Sequence, residues 1–373
     1  MFKNDGSSSK CRILYLVGQL GMGGLERQLV WLLENPASRL YMPMVMVWNF
    51  QSSNDYFQRI RDLGVEVLTF PAGFGALRKL AAFCQIVKRL SPEVIHSFSF
   101  YTNFPAYLGG VLTQAVSIGA LRSDFVTEKD DAGLLLGPLC ARWPHVHISN
   151  NMMAVENVKQ THSFFTPQKL YVVRNGMDLN TFKSTTLSTD PIPKILSVGS
   201  LLPVKRWDRL LSAVADLKDN GYRFLLRIAG EGPLRTLLGQ QSMDLGLAGD
   251  VEFLGQRHDI PDLLAESMFL VHTSDREGSP NVVTEAMACG RAVVATDVGD
   301  IPFLIDEGKT GFIVRRGDSE SLSNRMGILL QDRELCRQMG EAGRAKAERE
   351  FGSGRLFSET FAVYRAAGWK GDT

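Results

Sequence analysis

The sequence predicts an α/β protein of two doubly wound domains, each a parallel sheet wrapped on both faces, the two facing a cleft. Three observations carry the prediction. The chain has 373 residues, long for one core at about 100–200 residues per domain. Short, near-continuously apolar runs alternate with amphipathic helical stretches, the pattern of parallel strands buried on both faces. That alternation is interrupted by KSTTLSTDPIPK, a Ser/Thr/Pro-rich stretch that reads as a linker at about 183–192. The expected division is therefore 1–185, 192–350 and a closing helical segment, 351–373, packed back on the first domain.

Bulk properties exclude several classes. With 45% hydrophobic and 22% charged residues the chain has the composition of a soluble globular protein. A formal net charge of +1 gives no field for nucleic acid. The five cysteines, Cys11, Cys84, Cys140, Cys289 and Cys336, are scattered without a C-x-x-C pair, which fits reduced thiols. The opening MFKNDGSSSK lacks the apolar stretch of a signal peptide, and no run of about 18 apolar residues occurs. The expected location is the cytoplasm.

In the first half, RILYLV (12–17) reads as a strand running into a glycine-rich loop and a helix with Leu25, Leu29, Leu32 and Leu33 on one side. Such a unit brings backbone amides close to a phosphate or a sugar, which makes Gly23 and Gly24 candidates. It is not a dinucleotide fingerprint: Glu26 stands where the third glycine belongs, and the next strand ends in Asn49 and Phe50 instead of an acid. Its plainer reading is a tight turn in any α/β unit. A helix (QRIRDLG), a strand (VEVLTF), the helix ALRKLAAFCQIVKRL and the strand EVIHSF follow. That long helix places Leu80, Phe83, Ile86, Val87 and Leu90 at core spacing and Arg78, Lys79, Lys88 and Arg89 towards its ends. A solvated face is the ordinary explanation; contact with an anionic membrane surface is the functional one. His96 falls at the carboxyl end of a strand, where ligands bind in open α/β folds. VSIGALRSD and PHVHISN read as further strands; His145 and His147 alternate in the second, but no third ligand follows, so they read as strand residues. KLYVVRNGMDLNTF closes the half with a strand and an Asn175-Gly176 turn.

The second half opens with KILSVGS, a strand, and WDRLLSAVADLKDN, a helix with Trp207, Leu210, Leu211, Val214 and Leu217 inward. Lys205 sits in the turn between them. Strands RFLLRIAG, DVEFLG and MFLVHT alternate with helices PLRTLLGQQSMDLGL and DIPDLLAES. Residues 274–296, SDREGSPNVVTEAMACGRAVVAT, then carry the chemistry. Glu277 and Glu285 bracket a turn that opens a short helix, with Ser279 as expected cap, Pro280 at the first helical position and Gly290 as stop. Helix starts attract anions, so the amides near Asn281, Val282 and Val283 are candidates for a phosphate. Glu285, about one turn in, leans back towards the same volume. The alternative for Glu285 is a surface helix residue, and for Lys205 an ordinary solvated lysine. IPFLIDEG and GFIV complete the sheet, and the chain from Ser319 onward is helical.

These residues carry a resemblance. EGSPNVVTE has an E-x7-E form and resembles family 4 glycosyltransferases, as do LGMGGLERQ, VVRNGMDLNTF, ILSVGSLLPVKRWDRLLSA, RIAGEGPLRTL, VEFLGQRHDIPDLLAES and EAMACGRAVVATDVGDIPFLIDEGKTGFIV, all in the family's order. An isolated E-x7-E occurs by chance; ordered segments along nearly the whole chain do not. The resemblance implies a GT-B fold of two Rossmann-like domains. It also implies transfer with retention from a UDP-, GDP- or ADP-sugar to a growing surface polysaccharide or lipid-linked glycan, at the inner face of a membrane. It assigns Glu285 to the ribose, Lys205 to the diphosphate and Glu277 to the donor sugar. Two positions depart from the family. Ser200 stands where relatives carry an arginine, and Arg206 or Arg257 would supply that charge. Phe98 stands where a second histidine follows the first, so His96 reads either as a catalytic or sugar-positioning residue or as a packed one. No D-x-D motif occurs, so no metal and no cofactor are expected, and leaving-group charge falls to Lys205, an arginine and helix amides. The rivals are a catalytically lapsed sugar-nucleotide-binding subunit, and an epimerase or phosphorylase on the same fold. A dehydrogenase is disfavoured by the broken glycine pattern.

Overall fold

The computed structural model describes residues 11–21, 23–51 and 55–371. The polar opening stretch and Met22 of the glycine loop lie outside the described residues. The chain divides into two compact units, one running to Gly176 and resumed from Ser353, the other Met177–Gly352. By this division the Ser/Thr/Pro-rich stretch at 183–192 lies inside the second unit.

The first unit is built on seven strands: β1 (Ile13–Val17), β2 (Pro43–Val47), β3 (Glu66–Thr69), β4 (Val94–Ser97), β5 (Val116–Leu121), β6 (Val146–Ser149) and β7 (Lys169–Val172). All pair in parallel, in the order β3-β2-β1-β4-β5-β6-β7. Every residue of β1 is buried, as its unbroken apolar run requires. One face packs Leu14, Leu16, Met46, Phe83 and Ile95 into a core. A satellite cluster gathers Phe100, Leu121, Phe125 and Cys140. The strand order reverses between β1 and β4, and the crevice at their carboxyl ends is where ligands bind in such sheets. The last helix, Ser353–Ala366, belongs to this unit. Phe361 lies 4.6 Å from the Tyr41 ring, and the Trp369 indole N–H donates to Glu93 Oε2 at 2.8 Å. The closing segment thus packs on the first unit, as the sequence predicts.

The second unit repeats the plan with β8 (Lys194–Val198), β9 (Leu225–Ala229), β10 (Val251–Gly255), β11 (Phe269–His272), β12 (Ala292–Thr296) and β13 (Gly311–Val314). The order is β10-β9-β8-β11-β12-β13, again all parallel, and it reverses between β8 and β11. Its core joins Ile195, Trp207, Leu210, Val214, Phe269 and Val294. Among its buried charged side chains, one has no exposure at all. Arg291 is 0% exposed, and its guanidinium donates to the carbonyl oxygens of Leu264 (2.8 Å), Ala265 (2.7 Å), Thr185 (2.7 Å) and Cys289 (2.9 Å) and to the Thr185 hydroxyl (2.5 Å). Among the described residues no helix is long and apolar enough to cross a membrane.

Candidate functional site

The reversal of strand order in the second unit puts two loops side by side. One leaves β8 and closes as a single 3-10 turn, Pro203–Lys205, before Arg206 (φ 52°) starts the helix Trp207–Asp219. The other leaves β11 and reaches the helix Asn281–Ala288. They are stitched together by local hydrogen bonds. The Thr273 hydroxyl donates to the Lys205 carbonyl at 3.0 Å, and the Asp275 N–H donates to the Val204 carbonyl at 2.8 Å. Buried Arg209 spans Thr273 O (3.1 Å) and Asp275 Oδ1 (2.8 Å). As a result Lys205 Nζ stands 2.6 Å from Glu277 Oε1, although 72 residues separate them.

Glu277 Oε1 collects two more donors, the Ser274 hydroxyl at 2.5 Å and His272 Nε2 at 2.9 Å. Burial alone would push this carboxyl up. The hydrogen bond and charge of His272, then those of Lys205, outweigh it and bring the group down to about 2. A folded-state value below the ordinary 4.5 means that its contribution to stability is complete above about 4.5 and is lost as pH falls towards 2. Glu277 is therefore ionised throughout the neutral range.

The backbone behind Glu277 is held by the turn after β12. The Asp300 N–H donates to the Gly278 carbonyl at 2.9 Å. Gly299 has φ +55°, and a Cβ there would overlap the carbonyl oxygens of Glu277 and Gly278. Gly299→Ala is expected to destabilise the second unit by about 2 kcal/mol or more and to displace Glu277. Thermal denaturation alongside nucleotide binding checks both effects.

The helix Asn281–Ala288 starts differently from the expectation. Pro280 (φ −72°, ψ 110°) is extended and holds the cap position itself, Asn281 is the first helical residue, and no side chain caps the helix, Ser279 included. The physical reason lies in the backbone. The Val283 N–H closes a three-residue turn onto the Pro280 carbonyl at 3.2 Å, which leaves no role for a hydroxyl one residue earlier. Glu285 is 3% exposed, so the surface-residue alternative is excluded. Gly290 (φ +71°) follows the last turn, as expected of a stop.

The arginine candidates are both paired. Arg206 forks onto Asp208 (Nε–Oδ1 2.9 Å) and Asp275 (Nη1–Oδ2 2.8 Å), and Arg257 meets Asp259. Ser200 is exposed, and its carbonyl accepts the Trp207 indole N–H at 3.0 Å. Sequence reasoning missed His272, Ser274, Arg209 and Asp275. The signal for His272 was available, since a polar residue at the carboxyl end of a buried strand is the same cue that singled out His96.

In the first unit, His96 is 1% exposed. Its Nδ1 lies 2.7 Å from the Tyr364 hydroxyl, with Tyr15 and Phe98 packed around the ring. Burial, then the charge of Arg122, holds the imidazole well below its usual range, so it is neutral. The glycine loop opens the helix Gly24–Glu34 with Gly23 as cap. Glu26 turns its carboxylate back beneath Gly23, onto its own backbone N–H, and burial pushes it up. A cavity of about 510 Å³ opens past the carboxyl ends of these strands, lined by Asn49, Phe98, Tyr101, Arg122 and Glu128 among others. Burial pushes Glu128 up to about 7 against the backbone N–H and charge of Arg122. His147 is buried with Nε2 3.1 Å from the Cys140 carbonyl, and the described residues contain no cluster of three or more metal-binding side chains.

Residues 180–346 match the family model described as glycosyl transferases group 1. The chain is similar to N-acetyl-alpha-D-glucosaminyl L-malate synthase of Bacillus anthracis, 30% identical over 216 residues, which are 56% of each chain. It is 24% identical over 311 residues (76% of this chain, 81% of the other) to N,N'-diacetylbacillosaminyl-diphospho-undecaprenol alpha-1,3-N-acetylgalactosaminyltransferase of Campylobacter jejuni. The chain spans about half the length of the first curated relatives it matches. Among solved structures, Anabaena HepE in complex with UDP superposes with a TM-score of 0.82 at 21% identity, over 95% of this chain and 100% of that one. HepE in complex with UDP-glucose gives 0.80 at 21% identity, over 95% and 99%. The likeness shows the fold, two parallel-sheet units of GT-B type.

Proposed function

We propose that this chain, whose residues 180–346 match the model of glycosyl transferases group 1, is a retaining, metal-independent glycosyltransferase that moves a sugar from a nucleoside-diphosphate sugar to an acceptor hydroxyl. The observation that carries the reading is Lys205 beside ionised Glu277 at the point where the second sheet reverses its strand order. Lys205 and the opening of the helix Asn281–Ala288 meet the diphosphate. Buried Glu285 accepts the ribose hydroxyls, and Glu277 meets the donor sugar. Leaving-group charge is offset by fixed protein groups, which do what a metal ion does elsewhere. The acceptor hydroxyl arrives on the face from which the nucleoside diphosphate departs, and a leaving phosphate oxygen takes its proton.

HepE was solved with UDP and UDP-glucose, which makes a UDP-sugar the first donor to try. The name of the Campylobacter relative, built on a diphospho-undecaprenol acceptor, supports a lipid-linked or growing glycan here. The first unit's cavity supports it too, since Tyr101, Asn49, Arg122 and Glu128 line it and carry polar groups able to hydrogen-bond a sugar. Arg78, Lys88 and Arg89 are exposed on the helix Ala76–Leu90, which suits an anionic membrane surface on the cytoplasmic side.

Incubation with UDP-, GDP- and ADP-sugars, followed for donor hydrolysis and transfer, tests the reading. Turnover of one class supports it. Tight nucleotide binding without turnover on any acceptor overturns it in favour of a lapsed binding subunit. Glu285→Gln keeps the shape and removes the charge that strengthens bonds to hydroxyls. At about 1.5–3 kcal/mol for a charge-assisted bond, the nucleotide Kd should rise about tenfold or more, read by calorimetry.

A further inference from the structure

Glu277 carries an imbalance between its two oxygens. Oε1 accepts from three groups on two separate elements: Lys205 Nζ (2.6 Å) from the turn after β8, and His272 Nε2 (2.9 Å) and Ser274 Oγ (2.5 Å) from the end of β11 and the residues after it. Each carboxylate oxygen offers about two lone-pair directions, so Oε1 is filled. The described residues send no hydrogen bond to Oε2. Lys205 Nζ has three N–H donors and spends one on Glu277. When a diphosphate draws Lys205 towards itself, only His272 and Ser274 still hold Oε1.

Resting on the sugar-nucleotide reading above, we propose that His272 is a positioning residue: donating from Nε2, it pins Glu277 Oε1 so that Oε2 alone meets the donor sugar while Lys205 turns to the diphosphate. The imidazole is suited to this. It is the last residue of β11, in register with Ala295 of β12, and is 3% exposed, so its ring is fixed by the sheet and not by the ligand. Its acceptor is an ionised carboxylate, which donates nothing, so the Nε2 atom carries the proton in this pair. The other charged groups around the acid are Lys205, the Arg206–Asp275–Arg209 set on the stitched loops, and Asp297 and Asp300 of the turn behind it. None of the set is placed to replace an N–H on Oε1, since Arg206 and Arg209 are engaged by Asp208 and Asp275.

Reach separates this role from simple packing. In His272→Gln the amide nitrogen lies about where Nε2 lies; in His272→Asn it stops short; His272→Phe fills the space without a donor. With a donor that the wild type turns over, kcat is expected to fall about tenfold or more in the Phe and Asn variants, with the donor KM within about threefold. The acid limb of the kcat–pH profile should move up, and Gln should recover most of the loss. A second reading needs no turnover: carbon-13 NMR of the glutamate carboxyls, with Glu277 assigned by Glu277→Gln. The wild-type Glu277 signal is expected to stay ionised to the lowest pH at which the fold survives, and to titrate at higher pH in His272→Asn. Equal kcat in the Asn, Gln and wild-type proteins, or an unmoved Glu277 titration in His272→Asn, overturns the proposal. A wild type that turns over no nucleotide sugar overturns the function proposed above, while the NMR titration still decides the role of His272.

Discussion

Lys205→Ala is expected to lower kcat/KM for the donor by about 10²–10³-fold, the loss seen when one group aimed at developing charge is removed. The expectation follows from how the surrounding charge is distributed. Arg206 and Arg209 are balanced by Asp208 and Asp275, Arg257 is balanced by Asp259, and Ser200 brings none. Among the described residues Lys205 pairs with Glu277 alone, and its stem is half-buried, so its ammonium is the cation best placed to be transferred to a diphosphate. The fold should survive the change, because Glu277 keeps His272 and Ser274 and the two loops keep Thr273, Asp275 and Arg209 as their stitches. Lys205→Arg should rescue poorly, since a planar fork on this short turn does not reproduce a point charge. Donor kinetics paired with thermal denaturation checks the claim. A Lys205→Ala protein within about threefold of wild type would remove the lysine from the mechanism.

Arg291→Ala is expected to produce the largest loss of stability. The side chain is wholly buried without a carboxylate, and its charge is dispersed over carbonyl oxygens from three stretches of chain, at Thr185, at Leu264 and Ala265, and at Cys289. Burial pulls its guanidinium below the usual range, yet it stays charged because every donor has an oxygen to meet. Truncation leaves those carbonyls facing a cavity. At about 1–3 kcal/mol for each buried polar group left unmade, the total should reach about 3–5 kcal/mol, as for other buried charge networks that lose one partner. For a unit of this size that corresponds to a fall of roughly 10 °C in its melting temperature. Differential scanning calorimetry should show the loss in one transition only, and catalysis at low temperature should be retained.

Arg291 also shows where the sequence stopped being readable. Ser, Thr and Pro made 183–192 look like a linker, but composition reports what a segment does alone, not what grips it. Thr185 is clamped by an arginine 106 residues away. The two parallel sheets and the E-x7-E loop were legible because apolar runs and loop residues are local signals. No element was predicted between EVIHSF and VSIGALRSD, where the helix Asn103–Thr113 lies; its Pro105, Gly109 and Gly110 are poor helix formers, and packing against β5 overrides that propensity. Lys205 and Glu277 were each nominated singly. Their meeting at 2.6 Å, and the convergence of His272 and Ser274 on the same oxygen, follow from strand order, which no spacing along the chain encodes.

The carboxylate that Glu26 folds beneath Gly23 has a consequence for ligand polarity. Both units begin a helix over a reversal of strand order, and by glycine content the first looks the better phosphate cradle. It brings its own acid to its own amides, however, which makes it a counterfeit of an anion site: a phosphate there would meet a like charge, whereas a hydroxyl would meet an acceptor. The helix after Pro280 has no built-in acid in its first turn. One buried glutamate thus sets apart two otherwise similar helix starts, of which only the one after Pro280 keeps its first turn free of an acid of its own.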